Sequence, residues 1–134
     1  MIVLDASAVL ELLLGTAAGH AISKRIAAPS LGLHVPHLVD IEIAQALRRY
    51  TRQGEITESE AAQALADLHA LDLQRHDHEP LLDRVWDLRD NLSAYDATYV
   101  ALAEVLDAVV VTCDGRLARA PGMAARVEWT AADQ

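Results

Sequence analysis

The sequence contains no Phe, and two Trp and three Tyr are its only aromatic residues, 4% of 134. The core therefore has to be built from Leu, Val, Ile and Ala, a composition that suits helices packed on a small sheet. The single cysteine, Cys113, cannot form an internal disulfide, and nothing in the sequence requires an oxidising compartment. We expect an intracellular, cytoplasmic protein.

Long apolar runs are also missing, so no stretch of the sequence is predicted to span a membrane. The N-terminal run "MIVLDASAVLELLLG" lacks the basic residues that open a signal peptide, and it contains Asp5 and Glu11. We interpret it as part of the folded structure. The length and the 52% of apolar residues indicate one domain, predicted over residues 1–134.

Basic residues are scarce: the sequence has 11 basic and 20 acidic residues, and its net charge is −9. This balance argues against broad electrostatic attraction to nucleic acids or anionic membranes. All bases except Lys24 are Arg, the side chain best matched to bidentate phosphate contact. Solvated helix faces explain each Arg taken singly, but some form local clusters. The weaker candidates for RNA phosphate contact are Arg48, Arg49, Arg52, Arg116 and Arg119.

Predicted strands alternate with predicted helices along the whole chain. The strands are expected at Ile2–Leu4, Leu33–Val35, Leu71–Gln74, Ala108–Cys113 and the final "RVEW". The helices are expected at residues 6–15, 17–27, 39–52, 57–71, 80–89 and after Ser93. Such alternation indicates right-handed parallel crossovers and a doubly wound α/β sheet.

Two helices carry more detailed predictions. Thr57 and Glu60 are spaced as a capping box, and the helix that they open is predicted to bury Ala61, Leu65 and Leu68. The helix after Ser93 is apolar on most of its surface as far as Val105.

Four acids stand out by position. Asp5 and Asp114 follow the first strand and the most strand-like run, and function gathers at the carboxyl ends of parallel strands. Glu42 and Asp96 lie near the starts of helices. Caps, first-turn acids and an Asp-Gly turn explain each acid singly, but strand ends and helix starts converge on one edge of such a sheet.

A cluster of these acids would favour a bound cation. Two carboxylates about 5 Å apart repel by roughly 3 kcal/mol at an effective dielectric near 20. Mg²⁺ or Mn²⁺, which take oxygen ligands, would offset that repulsion. The chemistry that uses such a cluster is phosphodiester hydrolysis, in which the metal activates a bound water and offsets charge on the leaving oxygen.

The motifs "VLDASAVL", "EIAQALRR", "YDATYVALAE" and "VVTCDGRLARAPG" together resemble the PIN domain, specifically the VapC-type toxins of bacterial toxin-antitoxin pairs. The resemblance covers essentially the whole chain, and it is the order and spacing of the motifs that make the match. It implies a three-layer α/β/α sandwich with a parallel five-stranded sheet. It also implies a Mg²⁺- or Mn²⁺-dependent endoribonuclease, often a homodimer, that a cognate VapB-type antitoxin holds inactive.

The resemblance also implies roles for individual residues. The catalytic metal site would consist of Asp5, Glu42, Asp96 and Asp114. The hydroxyls of Ser7 and Thr112 would orient a carboxylate or a water molecule. Gln45 departs from many relatives, which have Asn there, and it is not counted as a site residue.

Other readings of the sequence remain. A receiver domain would need a Lys near the acids, but Lys24 follows no strand end, and a phosphatase of the DxDxT class would need an acid where Ser7 stands. The "HDHE" run offers His76 and His78 to a transition metal, although exposed polar residues explain it more simply. The alternative from another class is a non-catalytic PIN-fold module that binds a partner through residues 39–52 and 57–71.

Overall fold

The computed structural model describes residues 1–132, so the expected domain span of 1–134 extends two residues further. Within the described residues, the strands are β1 (Ile2–Leu4), β2 (Leu33–Pro36), β3 (Gln74–His76), β4 (Val109–Thr112) and β5 (Arg126–Trp129). The helices are α1 (Ala6–Leu14), α2 (Ala17–Arg25), α3 (Leu38–Arg52), α4 (Glu58–Ala70), α5 (Leu82–Asp87), α6 (Ala94–Leu106) and α7 (Gly115–Arg119). A single 3₁₀ turn, Glu79–Leu81, precedes α5.

The five strands form one parallel sheet in the order β3-β2-β1-β4-β5, flanked by helices. The predicted α/β/α architecture is therefore confirmed. Strands β1 and β4 are direct neighbours in the middle of the sheet, with Leu4 opposite Val111. The residues that follow these two strands consequently emerge at the same edge.

The core is aliphatic, as the composition predicts. All residues of β1 and β4 are buried, and α6 contributes a run of buried residues from Ala97 to Ala103. Of the five Trp and Tyr residues, only Tyr99 is buried, with 1% of its surface exposed. A buried Tyr brings a hydroxyl into the core, and that hydroxyl needs a hydrogen-bond partner.

Helix ends follow the expected local chemistry. Helix α1 ends at Gly15, whose φ of 66° lies in the left-handed region that glycine adopts without strain. The capping box of Thr57 and Glu60 at the start of α4 is present in both directions. The amide of Asp96 donates to the Ser93 side chain at the start of α6, at 3.1 Å.

Some boundaries and burial predictions are wrong. Strand β3 begins at Gln74, because Leu71 instead ends α4 with an amide hydrogen bond to Asp67. Leu65 is 38% exposed, since Ala64 and Leu68 are the buried residues of α4. Val105 is 71% exposed at the end of α6, just before Asp107 turns the chain out of the helix.

The predicted helix over residues 80–89 is also shorter than expected. It divides into the 3₁₀ turn and α5, which together end at Asp87. Within residues 1–132, no single helix is long and apolar enough to cross a membrane. Helices α1 and α2 reach that length and composition only as a pair, with a bend of 110° between them.

Candidate active site at the carboxyl edge of the sheet

Two acids lie at one edge of the sheet, and each of them follows one of the central strands. Asp5 directly follows β1 and caps α1 by accepting the amide of Ala8, and its own amide donates to the carbonyl of Val111 in β4. Asp114 lies two residues after β4 and caps α7 by accepting the amide of Arg116. Helix capping, the simple explanation considered for Asp5, is thus correct for it. Asp114, for which an Asp-Gly turn was considered, caps a helix as well.

Two helices bring the other acids towards this edge. Glu42 lies on α3, and Asp96 lies in the first turn of α6. The charge of Asp96 raises the pKa of both Asp5 and Glu42, and Asp114 in turn raises the pKa of Asp96. The four acids therefore form one electrostatically connected group, although they are spread over 110 positions from Asp5 to Asp114.

Asp5 is the most buried member of the group, with 3% of its surface exposed. Burial is the main reason that its pKa is raised to about 6, and the hydrogen bonds that it accepts partly oppose this effect. Ser7 donates to Oδ1 at 2.7 Å, and Thr112 donates to Oδ2 at 2.5 Å. Both oxygens of the carboxylate are therefore held in a fixed orientation.

The two hydroxyls that hold Asp5 are themselves tied to the backbone after β4. Ser7 Oγ accepts the amide of Cys113, and Thr112 Oγ1 accepts the amide of Asp114, each at 2.9 Å. The two hydroxyl oxygens lie 3.3 Å apart. One small network thus joins the ends of β1 and β4.

Glu42 is half-buried and is held by a residue that the sequence analysis missed. The hydroxyl of Tyr99 donates to Glu42 Oε1 at 2.7 Å. Burial raises the pKa of Glu42, the Tyr99 hydrogen bond lowers it, and the charges of Asp96 and Asp5 raise it further. Tyr99 lies three residues after Asp96 on the same face of α6, which is the sequence signal that could have identified it.

Asp96 and Asp114 are partly exposed, like Glu42. Burial raises the pKa of Asp96, with Asp114 as the next cause, whereas Ser93 and Arg116 lower it. Arg116 is an exposed side chain whose Nε lies 3.6 Å from Asp114 Oδ1. It is therefore a cation at the mouth of an otherwise acidic site.

All donors in this group are carboxylate or hydroxyl oxygens, the ligands that Mg²⁺ and Mn²⁺ prefer. Among residues 1–132, no three His, Cys, Asp or Glu side chains already converge closely enough to enclose an ion. Mg²⁺ usually keeps several of its waters and uses few protein ligands, so a looser carboxylate group is chemically suited to it. The donor set fits a hard cation.

The five candidate arginines separate into different environments. Arg116 adjoins the acids, whereas Arg119 lies over the ring of Trp129 at 5.6 Å. Arg49 lines a cleft beside the acids, and its neighbours Arg48 and Arg52 line a groove between α3 and α4. The arginines of "RRYTR" therefore line two different surfaces.

The cleft beside the acids has a volume of about 580 Å³ and lies between α1 and α3. Ser7, Glu42 and Cys113 belong to its wall, so it opens directly onto the acidic group. Gln45 and Tyr95 also line it. Neither of these two residues was a predicted site residue.

The histidines of the "HDHE" run lie elsewhere. His76 ends β3, and its Nε2 is 2.8 Å from Nδ1 of the buried His34 on β2. His78 is exposed and precedes the 3₁₀ turn. Burial, followed by the neighbouring His76, lowers the pKa of His34.

Comparison with known proteins places this chain in a family. The family model described as the PIN domain matches residues 2–123. Ribonuclease VapC9 of Mycobacterium tuberculosis (strain ATCC 25618 / H37Rv) is 46% identical over 117 residues, which cover 87% of this chain and 88% of the relative. Ribonuclease VapC1 of the same strain is 41% identical over 127 residues, which cover 94% of this chain and 95% of the relative.

A solved structure described as a toxin-antitoxin complex from Klebsiella pneumoniae shares the fold. Its TM-score is 0.60 at 16% identity, and the alignment covers 85% of this chain and 87% of that one. The parallel sheet, the family match over most of the chain and the identity to the two mycobacterial proteins lead to one assignment: the chain belongs to the PIN-domain family and, within it, to the VapC type.

Proposed function

We propose that this chain is the toxin of a toxin-antitoxin pair and acts as a Mg²⁺- or Mn²⁺-dependent endoribonuclease. Its active site would be the group of Asp5, Glu42, Asp96 and Asp114. Two relatives that align over most of this chain are named ribonucleases, which supports the activity. The observation that carries the site is the central position of Asp96, whose charge interacts with those of the other three acids.

The cation would supply a bound water of lowered pKa and would offset charge on the leaving oxygen. The residues of the chain provide its binding site and its geometry. Ser7 and Thr112 fix the carboxylate of Asp5, and Tyr99 fixes one oxygen of Glu42. Asp96 and Asp114, which like Glu42 are partly exposed, would turn their side chains towards the ion.

The RNA backbone needs a local positive charge, because the chain as a whole carries −9. Arg116 meets this need, since it is exposed and adjoins Asp114. We assign it a contact to a phosphate next to the scissile bond. Arg119, which lies over Trp129, is the weaker candidate.

The partner would be a VapB-type antitoxin, and the active assembly would contain a homodimer. The structural neighbour from Klebsiella pneumoniae is described as a toxin-antitoxin complex, which supports a protein partner. We assign an antitoxin segment to the α3–α4 groove, which has a volume of about 300 Å³. Its apolar walls include Leu47 and Leu65, and Arg48 and Arg52 at its side would attract acidic residues.

The decisive experiment is single-turnover cleavage of structured RNA in Mg²⁺, in Mn²⁺ and in EDTA. Wild type is expected to cleave with either metal and not in EDTA. Asp96→Asn is expected to lose at least 100-fold in rate. Asp72→Asn, which makes the same chemical change at an exposed acid outside the site, is the matched control and is expected to retain wild-type activity.

Cleavage in EDTA would refute the metal mechanism, and full activity of Asp96→Asn would refute the site. A wild-type protein that binds antitoxin but never cleaves RNA would instead be the non-catalytic docking module. Light scattering of the chain alone and with its antitoxin tests the homodimer and the complex.

A further inference from the structure

We propose that the cleft between α1 and α3 receives one unpaired base of the RNA, stacked on Tyr95, with the base edge facing Gln45. The inference rests on the proposed function and adds to it a binding subsite and two residues that set substrate preference. The nucleotide would lie next to the scissile phosphate, because the cleft and the acidic group share Ser7 and Glu42 as wall residues.

The dimensions of the cleft suit a nucleotide. Sites for small organic ligands have volumes of about 300–1,000 Å³, and this cleft has about 580 Å³. Its walls are largely apolar, including Leu10, Leu38 and Ala46. The face of a base is apolar and its edge is polar, so such walls accept the face when a polar group meets the edge.

Tyr95 provides a stacking surface beside the catalytic acids. It directly precedes Asp96 in α6, and 61% of its surface is exposed although it lines the cleft. Proteins that bind single-stranded RNA stack unpaired bases on exposed aromatic rings.

Helix α3 places three polar groups along the opposite wall. Glu42, Gln45 and Arg49 are spaced three and four residues apart, so they lie on one face of the helix, and all three line the cleft. The distance from Glu42 to Arg49 along the axis is about 10 Å. The Gln45 amide both donates and accepts hydrogen bonds, as recognition of a base edge requires.

One cation lines this cleft, and a phosphate of the RNA would contact it. Among the described residues that line it, Arg49 is the single positive charge and lies about two helical turns from Glu42, while Glu11 and Glu42 are negative. A nucleotide chain that passes through the cleft would present one phosphate to the carboxylate site and the next one to Arg49. The α3–α4 groove is the separate surface assigned to the antitoxin.

The test uses fluorescein-labelled RNA decamers of A, C or U and a ribose-phosphate decamer that lacks bases. Binding is measured by anisotropy in Mg²⁺ in an Asp114→Asn background, in which cleavage is blocked and Asn can still cap α7. Tyr95→Ala is expected to weaken binding of the base-bearing decamers by about 5- to 100-fold, with little change for the abasic decamer. Tyr95→Phe is expected to bind normally.

Trp86→Ala is the matched control, because Trp86 is 67% exposed and lies outside the cleft, and this variant is expected to bind normally. Gln45→Ala is expected to reduce the differences in affinity among the A, C and U decamers. Arg49→Ala is expected to weaken all four decamers, whereas Arg126→Ala, at an exposed strand residue outside the cleft, is not.

Equal losses for abasic and base-bearing RNA in Tyr95→Ala, or no preference of the background protein for base-bearing RNA, would overturn the inference. The inference is also wrong if Tyr95→Ala binds RNA as tightly as the background protein but binds the antitoxin more weakly. Cleavage of structured RNA by wild type is measured in parallel. If wild type cleaves RNA and Tyr95→Ala has an unchanged KM, base binding in the cleft is refuted and the proposed function is not. If wild type does not cleave RNA, the proposed function is refuted.

Discussion

The buried hydroxyl of Tyr99 donates a hydrogen bond of 2.7 Å to Oε1 of Glu42 and so joins α6 to α3 across the acidic group. Both residues depend on this contact. The phenol is satisfied inside the core, and the carboxylate is held at the active-site edge. Tyr99 is thus a positioning residue that is expected to act through Glu42.

Tyr99→Phe tests this role because it removes only the hydroxyl. We expect a stability loss of about 1 kcal/mol and a loss of activity of about 10-fold. The hydrogen bond lowers the pKa of Glu42, so its removal raises that pKa. The acidic limb of the pH-rate profile is therefore expected to move to higher pH. An unshifted profile would assign Tyr99 to packing alone.

Thr112→Val tests the network that holds Asp5. The substitution keeps the volume of the side chain but removes the donor to Asp5 Oδ2 and the acceptor of the Asp114 amide. We expect a stability loss of about 2–4 kcal/mol and a loss of activity of about 10- to 100-fold. Thr112→Ser keeps the hydroxyl and is expected to stay within about 3-fold of wild type. Equal damage in both variants would mean that the hydroxyl is not the group that matters, because Thr112→Ser keeps it and loses only the methyl group.

The buried strand β4 is predictable from this sequence, and the edge strand β3 is not, although the other edge strand, β5, lies at the predicted "RVEW". β4 is a continuous β-branched run that is fully buried, and its position is confirmed. β3 contains Gln74, Arg75 and His76 and lies at the edge of the sheet, where only β2 pairs with it. Half-exposed edge strands need no apolar alternation, so the pattern at Leu71 and Leu73 was misleading.

The acids at the carboxyl edge could be found because topology alone brings strand ends together. The hydroxyl partners Ser7 and Thr112 of Asp5 were predicted too. The Tyr99–Glu42 and His34–His76 contacts were not, because their partners are 57 and 42 positions apart. Such contacts depend on how helices and strands pack. The sequence pattern also does not fix how a helix is rotated about its axis. Ala64 is buried, whereas the next residue, Leu65, is exposed.

The His34–His76 pair predicts a dependence of stability on pH. Because the pKa of His34 is lowered in the folded protein, the unfolded chain takes up its proton first as the pH falls below about 6.5. The contribution of His34 to stability is therefore complete above that pH and declines as the pH falls towards the folded pKa.

Urea denaturation of wild type and His34→Gln between pH 5 and pH 8 measures this effect. The difference in stability between the two proteins is expected to shrink as the pH falls. His20→Gln, at an exposed histidine of α2, is the control and is expected to follow wild type at every pH. A constant difference for His34→Gln would exclude a role for its protonation.

Mutual repulsion of the acids predicts that a divalent cation stabilises the fold. At 100 times its Kd, Mg²⁺ is expected to stabilise wild type by about 2.7 kcal/mol. Asp96→Asn removes one of the four charges, so in EDTA it is expected to be more stable than wild type. It is also expected to lose most of the Mg²⁺ effect. Thermal unfolding with and without Mg²⁺ measures both, and a normal Mg²⁺ shift in Asp96→Asn would place the ion elsewhere. Asp72→Asn is the control.

Arg116 is expected to serve RNA binding and not folding. Its ion pair with Asp114 is exposed and 3.6 Å long, and such pairs contribute at most about 1 kcal/mol to stability. Arg116→Ala is therefore expected to melt like wild type. If the side chain contacts one phosphate, RNA affinity falls and the slope of log affinity against log salt becomes smaller by about 0.7. Arg126→Ala, at an exposed strand residue, is expected to change neither quantity. An unchanged salt slope in Arg116→Ala would mean that Arg116 only balances the charge of Asp114.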